Sequence, residues 1–392
     1  MAGSKMGAQR SQSIYREFDV CIVGLKCWGF VSGASHPRFI GGIETDLVTL
    51  ARTLAAAGKR VALIVYDEGQ PEVTTINGIT VFSSFSPDAG LPGLRFLFPR
   101  GSALIRAVRR VNATHFIQMG AGVESGWTAL AVKSLGKRSR FIFFAGGDRD
   151  CLAVLPAIPQ LRERLLYRLG LRLADHVVTQ TTRQSDLLKQ EFGIESSILR
   201  LPNSLQQEAS TMPNEVDTGG AARKVLWVGR IDRNKRPHWL LELAETYPNY
   251  QFEVVGEANS EDNYSADFKA AALKADNIVL HGKIARRNLA GFYTTADLLC
   301  CTSEFEGFPA TFLEAWSFGL PTISTVDPGD NITRFGAGAT AQSLDELRDA
   351  IAPENLDLNI DRWSESARRL YSEEFSPETC LERFNQVLRK VA

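Results

Sequence analysis

Apolar runs of strand length alternate with helix-period segments along almost the whole chain, and a single interruption divides the alternation into two series. The first series starts at DVCIVGLK, residues 19–26. Gly41-Gly42 then opens a helix whose Ile43, Leu47, Leu50, Ala51 and Leu54 share one face, Gly58 stops it, and RVALIVYDE follows as a strand. GITVFSS, THFIQMG, RFIFFAGG, HVVTQT and SSILRLPNS continue the strands, with helices near ALIRAVRRV, WTALAVKSL, LRERLLYRLGLRLA and SDLLKQEFG between them. Residues 206–222, QQEASTMPNEVDTGGAA, are polar and aperiodic and read as a linker. A second series then runs KVLWVGR, QFEVVGE, NIVLHGK, LLCCTSE and PTISTV, with helices between, and closes in amphipathic helices broken near Ser376-Pro377. Unbroken Val/Ile/Phe-rich strands separated by helices require a parallel sheet covered on both faces. The expected architecture is α/β, two doubly wound, Rossmann-like domains in tandem facing a central cleft. Its parts are a flexible tail at 1–17, a first domain at 18–205, the linker at 206–222, a second domain at 223–365, and helices at 366–392 packing back on the first domain. Ligands of such sheets bind at the carboxyl ends of the strands, which places the expected ligand between the domains.

Length and composition agree with two soluble domains: 392 residues, 44% hydrophobic and 23% charged, exclude a disordered, collagenous or coiled-coil chain. The six cysteines, at 21, 27, 151, 300, 301 and 380, show no C-x-x-C spacing and read as buried reduced thiols, with one of the Cys300-Cys301 pair facing a core. The histidines at 36, 115, 176, 238 and 281 show no metal spacing, so no metal site is expected. Trp227, Trp239 and Trp316 read as core. No apolar run is long enough to span a bilayer, and MAGSKMGAQRSQS has no hydrophobic signal region, so a cytoplasmic location is expected.

A net charge of −1 argues against a nucleic-acid partner, yet it conceals an asymmetry. Residues 1–205 carry 25 Lys+Arg against 16 Asp+Glu, a surplus of nine positive charges, and the remainder carries 19 against 29. The positive surplus gathers at Arg100, Arg106, Arg109 and Arg110, at Lys137, Arg138 and Arg140, and at Arg162, Arg164, Arg168 and Arg172. Either this is a solvated basic surface or it faces an anionic membrane or a phosphate-bearing lipid, with the protein peripheral on that membrane.

Two stretches of the second series carry chemistry. In SEFEGFPATFLEAWSFGLPTIS, residues 303–324, Glu306 lies in a strand-to-helix loop and Glu314 inside the following helix. Gly307 and Pro309 between them make a tight turn whose backbone N–H groups begin a helix, a place suited to an anion. Upstream, VGRIDRNKRP puts Arg230 at a strand end and Lys235 five residues on, two fixed cations suited to a diphosphate.

The segment EGFPATFLEA, with Glu306-x7-Glu314, resembles the E-x7-E signature of retaining GT-B glycosyltransferases of family 4, group 1. The motifs of that family follow in order: GGIETDLVTLARTLAAAGKRV resembles its N-terminal Gly-Gly loop and helix, and LPNS its step into the linker. VGRIDRNK resembles its G-R-x4-K, VVGE its V-G-x-G strand end, and HGKI the loop that receives the base. The similarity spans residues 18–392 and implies a UDP- or GDP-sugar donor, a glycan or lipid-linked acceptor held by the first domain, and no required cofactor or metal. By the same resemblance Arg230 and Lys235 grip the diphosphate and stabilise the leaving group. Glu314 accepts from the ribose hydroxyls, and Glu306 with the backbone of Gly307, Phe308 and Pro309 holds the donor sugar. Gly41 and Gly42 let backbone approach the phosphates, and Gly282, Lys283 and Ile284 receive the base.

The sequence departs from the family pattern at three places. Gly146-Gly147-Asp148 stands where a histidine is common, which makes Asp148 the candidate to contact acceptor or donor sugar there. Arg236 and Ser204 stand where glycine is usual. Asp148-Arg149-Asp150 also matches D-x-D, a metal signature of a different, single-domain glycosyltransferase fold that the two-series layout contradicts. Three alternatives remain at this point: a nucleotide-sugar epimerase, a sugar phosphorylase, or a non-catalytic saccharide- or nucleotide-binding protein on the same fold.

Overall fold

A computed structural model describes residues 18–34, 38–39, 41–91, 94–136, 138–156, 158–201, 222–258, 262–285 and 288–391. The tail at 1–17, Pro202 to Ser204 of LPNS and the linker up to residue 221 lie outside them, as do His36 and Lys137. Contacts divide the chain into two compact units, residues 1–178 with 388–392, and residues 179–387.

The first sheet comprises β1 (Phe18–Val23), β2 (Val61–Val65), β3 (Val73–Ile76), β4 (Ile79–Ser83), β5 (Ala113–Met119), β6 (Arg140–Phe144), β7 (His176–Thr179) and β8 (Ser197–Ile198). Their order is β3-β4-β2-β1-β5-β6-β7-β8. Helices on both faces bury it, so Val61–Val65 and Phe141–Phe144 are inaccessible along their whole length. The edge breaks the parallel rule: β3 pairs antiparallel with β4 through a two-residue turn, Ile76 opposite Ile79. Asn77 at φ 48° and Gly78 at φ 80° supply the left-handed pair that such a hairpin requires.

The second sheet comprises β9 (Arg223–Val228), β10 (Tyr250–Val255), β11 (Ile278–Gly282), β12 (Leu298–Cys301), β13 (Thr322–Ser324) and β14 (Gly338–Thr340), in the order β11-β10-β9-β12-β13-β14. All its pairings are parallel. Because β12 is buried on both faces, its adjacent thiols enter different cores: Cys300 packs with Trp227 and Leu240, and Cys301 with Phe312 and Trp316. Both cysteines of that pair are therefore core residues, and all six of the chain are buried and unpaired. The closing helices are Pro353–Leu370 and Pro377–Val391, joined by a π-helical turn at Tyr371–Phe375, with the break at Ser376.

Candidate active site

In a doubly wound sheet a crevice opens where successive connections leave neighbouring strands in opposite directions. In the second sheet that place is between β9 and β12. The segment after β9 carries Arg230 and Lys235, and the segment after β12 carries Glu306, so the fold brings together stretches 71 residues apart in sequence.

Backbone and side-chain hydrogen bonds lock these two loops to each other. The Glu304 N–H donates to the Asn234 carbonyl at 2.7 Å, and the Asn234 amide donates to the Phe305 carbonyl at 3.0 Å. The Thr302 hydroxyl donates to the Lys235 carbonyl at 2.6 Å while accepting from the Trp227 indole at 3.0 Å. Across this seam the Lys235 ammonium pairs with Oε1 of Glu306, each side chain less than one-fifth exposed. Partial burial strengthens such a pair relative to one in open water. Arg230 instead projects into solvent, its side chain 59% exposed, with Nη2 3.3 Å from Oδ2 of Asp232. The other oxygen of Asp232 accepts the Lys235 N–H at 3.0 Å, so one carboxylate shapes the loop and steers Arg230.

Arg236 occupies the position where the sequence pattern expects glycine, and the structure gives the reason. Its φ is 45°, in the left-handed region that favours glycine. The strain is offset by its side chain: the guanidinium donates to the carbonyls of Thr302 at 2.8 Å and Ser303 at 3.1 Å, and lies 4.2 Å from the Trp239 ring centre. Arg236 is thus a further tie between the two loops. Trp239 is half-buried beneath it, whereas Trp227 and Trp316 lie fully in the cores.

The Val255-Gly256 strand end has a steric basis. Gly256 has φ 145°, and a Cβ there would sit 1.7 Å from the carbonyl oxygen of Gly229. The Gly229 N–H donates to the Val255 carbonyl at 3.0 Å, and the Gly256 N–H to the Gly282 carbonyl at 2.9 Å. These contacts hold the ends of β9, β10 and β11 together. Gly282, at φ 66°, has open space around its α-carbon; Lys283 is exposed and Ile284 packs against the core. The His281 imidazole is engaged by Glu253 and packs edge-on against Phe292 with ring centres 4.7 Å apart.

Glu314 lies within the helix Ala310–Ser317, capped by Pro309, and is 3% exposed. Its Oε2 accepts from the Tyr293 hydroxyl at 2.7 Å, and the Tyr293 ring stacks on Phe318. The Phe308 ring is anchored by Arg200 at 4.7 Å and by Phe375 at 5.6 Å. A Cβ at Gly307 would meet nothing within 4 Å, so the fold itself does not require glycine there.

Gly41, Gly42 and Asp148 belong to the first unit. Gly41 is the extended cap of the helix Gly42–Ala56, with its carbonyl accepting from the Thr45 N–H and hydroxyl. Ile43 fixes where this loop lies: a Cβ at Gly120 or Gly146 would come within 3 Å of Ile43 Cδ1. The Gly-Gly loop is therefore held at the ends of β5 and β6, beside the buried turn Asp148–Cys151. Within that turn Asp150 points at its own backbone, accepting the Gly146 N–H at 2.7 Å, and burial pushes its carboxyl above the usual range. Sequence reasoning did not single out Asp232, Asn234 or Tyr293, and it placed Ile43 only on the apolar face of a helix; their roles are contacts between segments, and no local spacing encodes them. Among the described residues no cluster of His, Cys, Asp and Glu is arranged to hold a metal ion.

Two doubly wound units in succession, built on largely parallel sheets, define a GT-B fold. Residues 41–204 match the family described as glycosyl transferase 4-like domain, and residues 211–332 the one described as glycosyl transferases group 1. The chain belongs to the group 1 GT-B glycosyltransferases. It is 30% identical over 171 residues to an uncharacterised glycosyltransferase of Haemophilus influenzae, an alignment covering 41% of this chain and 46% of that protein, less than half its length. It is 23% identical over 361 residues to the amylovoran biosynthesis glycosyltransferase AmsD of Erwinia amylovora, covering 89% and 96%. The Anabaena protein HepE, solved in complex with UDP and glucose, superposes with a TM-score of 0.68 at 14% identity, covering 95% of this chain and 99% of that one.

Proposed function

We propose that this protein is a retaining glycosyltransferase that moves a sugar from a UDP- or GDP-sugar to a glycan or lipid-linked acceptor, without a metal ion. The observation that carries this reading is the Lys235–Glu306 pair at the strand-order reversal of the second sheet, with Arg230 exposed beside it. In this reaction the anomeric carbon–oxygen bond to the diphosphate breaks and a bond to the acceptor hydroxyl forms on the same face. The acceptor proton passes to the departing phosphate oxygen. Negative charge grows on the diphosphate as the bond breaks, and fixed cations stabilise it most at that moment. Lys235, held by its loop hydrogen bonds, and Arg230, steered by Asp232, supply those cations. Glu306 holds the donor sugar together with the backbone of Gly307 to Pro309. Glu314, its second oxygen already oriented by Tyr293, accepts from the ribose hydroxyls. Gly282 to Ile284 receive the base. By the family resemblance Gly41 and Gly42 are assigned to the phosphates and Asp148 to the acceptor or the donor sugar.

A thermal-shift screen of nucleotide sugars tests the donor class first, since a saturating ligand raises stability by a few kcal/mol, about 2.7 at a hundredfold excess over its dissociation constant. The stabilising donor is then assayed with the variants Glu306→Ala and Arg230→Ala. Undiminished donor-dependent transfer in both would overturn the assignment. Epimerisation of the nucleotide sugar without an acceptor would point to an epimerase instead, and dependence on inorganic phosphate without a nucleotide to a phosphorylase.

A further inference from the structure

Twelve large hydrophobic side chains are exposed among the described residues, and eight of them fall between residues 91 and 169 of the first unit. Six of these form two adjoining groups. Leu94, Leu97 and Phe98 stand out from the turns that precede the helix Arg100–Arg110, Phe98 with 70% of its surface in solvent. Leu161, Leu165 and Leu169 repeat every four residues along one face of the helix Leu161–Leu173. The groups meet at Phe96, whose ring lies 4.6 Å from the Arg162 guanidinium and whose carbonyl accepts from the Trp127 indole at 3.0 Å.

The leucine row cannot turn inward. The helix Leu161–Leu173 packs against Val123–Ser134 through glycines on both sides. A Cβ at Gly126 would sit 2.3 Å from the Leu166 carbonyl oxygen, and one at Gly170 would sit 2.7 Å from the Ser125 backbone. That close crossing buries Tyr167 and Leu171 and fixes the opposite face outward.

Arginines border the same face. Arg95, Arg162 and Arg172 are exposed, and no carboxylate pairs with them among the described residues. Arg164 and Arg168 donate to the carbonyls of Ile158 at 2.6 Å and Ala153 at 2.8 Å, neutral partners that leave both charges in place. Other members of the basic surplus are engaged elsewhere: Arg110 pairs with Glu72, and Arg140 donates to the Val391 carbonyl. Contiguous exposed apolar surface marks an interaction site, and apolar side chains interleaved with unpaired arginines suit the headgroup region of an anionic bilayer. No helix among the described residues is long and apolar enough to cross a membrane, so any insertion here is interfacial.

We propose that this face docks on an anionic lipid bilayer. Leu161, Leu165, Leu169 and Phe98 enter the acyl boundary, while Arg95, Arg162 and Arg172 meet lipid phosphates. Docking does not depend on the sugar-transfer reading, and its test uses no turnover. The purified full chain is floated with phosphatidylcholine vesicles that contain or lack phosphatidylglycerol, at low and high salt. Binding is expected only with phosphatidylglycerol and is expected to weaken with salt. Each arginine near an anionic leaflet contributes about fivefold to partitioning, and L161D/L165D is expected to lower it at least about tenfold. In Phe98→Trp the indole emission is expected to shift to the blue on phosphatidylglycerol vesicles and to be quenched by brominated acyl chains. This second variant decides the matter if the leucine variant misfolds. The proposal is overturned by absence of flotation at low salt, by equal binding to neutral vesicles, or by an indole emission in Phe98→Trp that does not shift. It is equally overturned if the wild type is a dimer that L161D/L165D converts to monomers without any vesicle binding.

Discussion

Lys235 and Glu306 reach each other from opposite sides of the reversal in strand order, one from the loop after β9 and the other from the loop after β12. The pair joins the cation proposed for the diphosphate to the carboxylate proposed for the sugar, so each holds the other in place. Lys235→Ala or Glu306→Ala alone is expected to lower donor-dependent transfer by about 10²–10³. The double variant is expected to lose little more than the worse single one, because residues in contact are not additive. Steady-state rates of the three variants check this, and additive losses would show that the two act separately.

Gly256 and Gly282 both have positive φ, but only Gly256 is crowded, with the Gly229 carbonyl 1.7 Å from where its Cβ would stand. Gly256→Ala is expected to cost about 3 kcal/mol or more, because conformational strain adds to a clash with backbone. Gly282→Ala is expected to cost about 1 kcal/mol, from strain alone. Denaturant midpoints of the two variants make the comparison; equal losses would count against the steric account.

At Arg236 two effects oppose each other. Replacement by glycine relieves the strain of φ 45°, whereas replacement by alanine retains it, and both remove the bonds to Thr302 and Ser303. Both variants are expected to be less stable than the parent, with Arg236→Gly above Arg236→Ala by about 1 kcal/mol. Thermal unfolding of the pair gives the order; an alanine variant as stable as the glycine one would refute the left-handed strain.

Burial lowers the imidazole pKa of His115 and of His176, the latter helped by the nearby Lys390. The unfolded chain therefore binds protons that the folded one does not, and stability falls as the pH drops below the ordinary histidine value of about 6.5. Asp19, held below the usual carboxylate range by its hydrogen bonds from Arg60, adds a further loss at more acidic pH. Melting temperatures recorded from pH 7.5 downward are expected to decline first near that histidine value, with a shallower decline in His115→Phe. An identical slope in the variant would remove His115 from the cause.

The sequence by itself determined that there are two doubly wound units. Strands such as FIFF and VALIV are apolar along their whole length, and only a sheet buried on both faces accommodates that. The Asn77-Gly78 hairpin and its antiparallel edge strand were not read from the sequence, although an Asn-Gly pair is one of the few dipeptides that adopt two successive left-handed conformations. Nor was the three-residue β14, GAT, since so short and small a segment acquires strand geometry only by pairing with β13. Tertiary structure alone decided the Lys235–Glu306 pairing, the use of Arg236 as a tie between loops, and the outward face of the Leu161–Leu173 helix. A helical period sorts residues into faces, but which face is buried depends on the glycine contacts of a neighbouring helix, and no local pattern contains them.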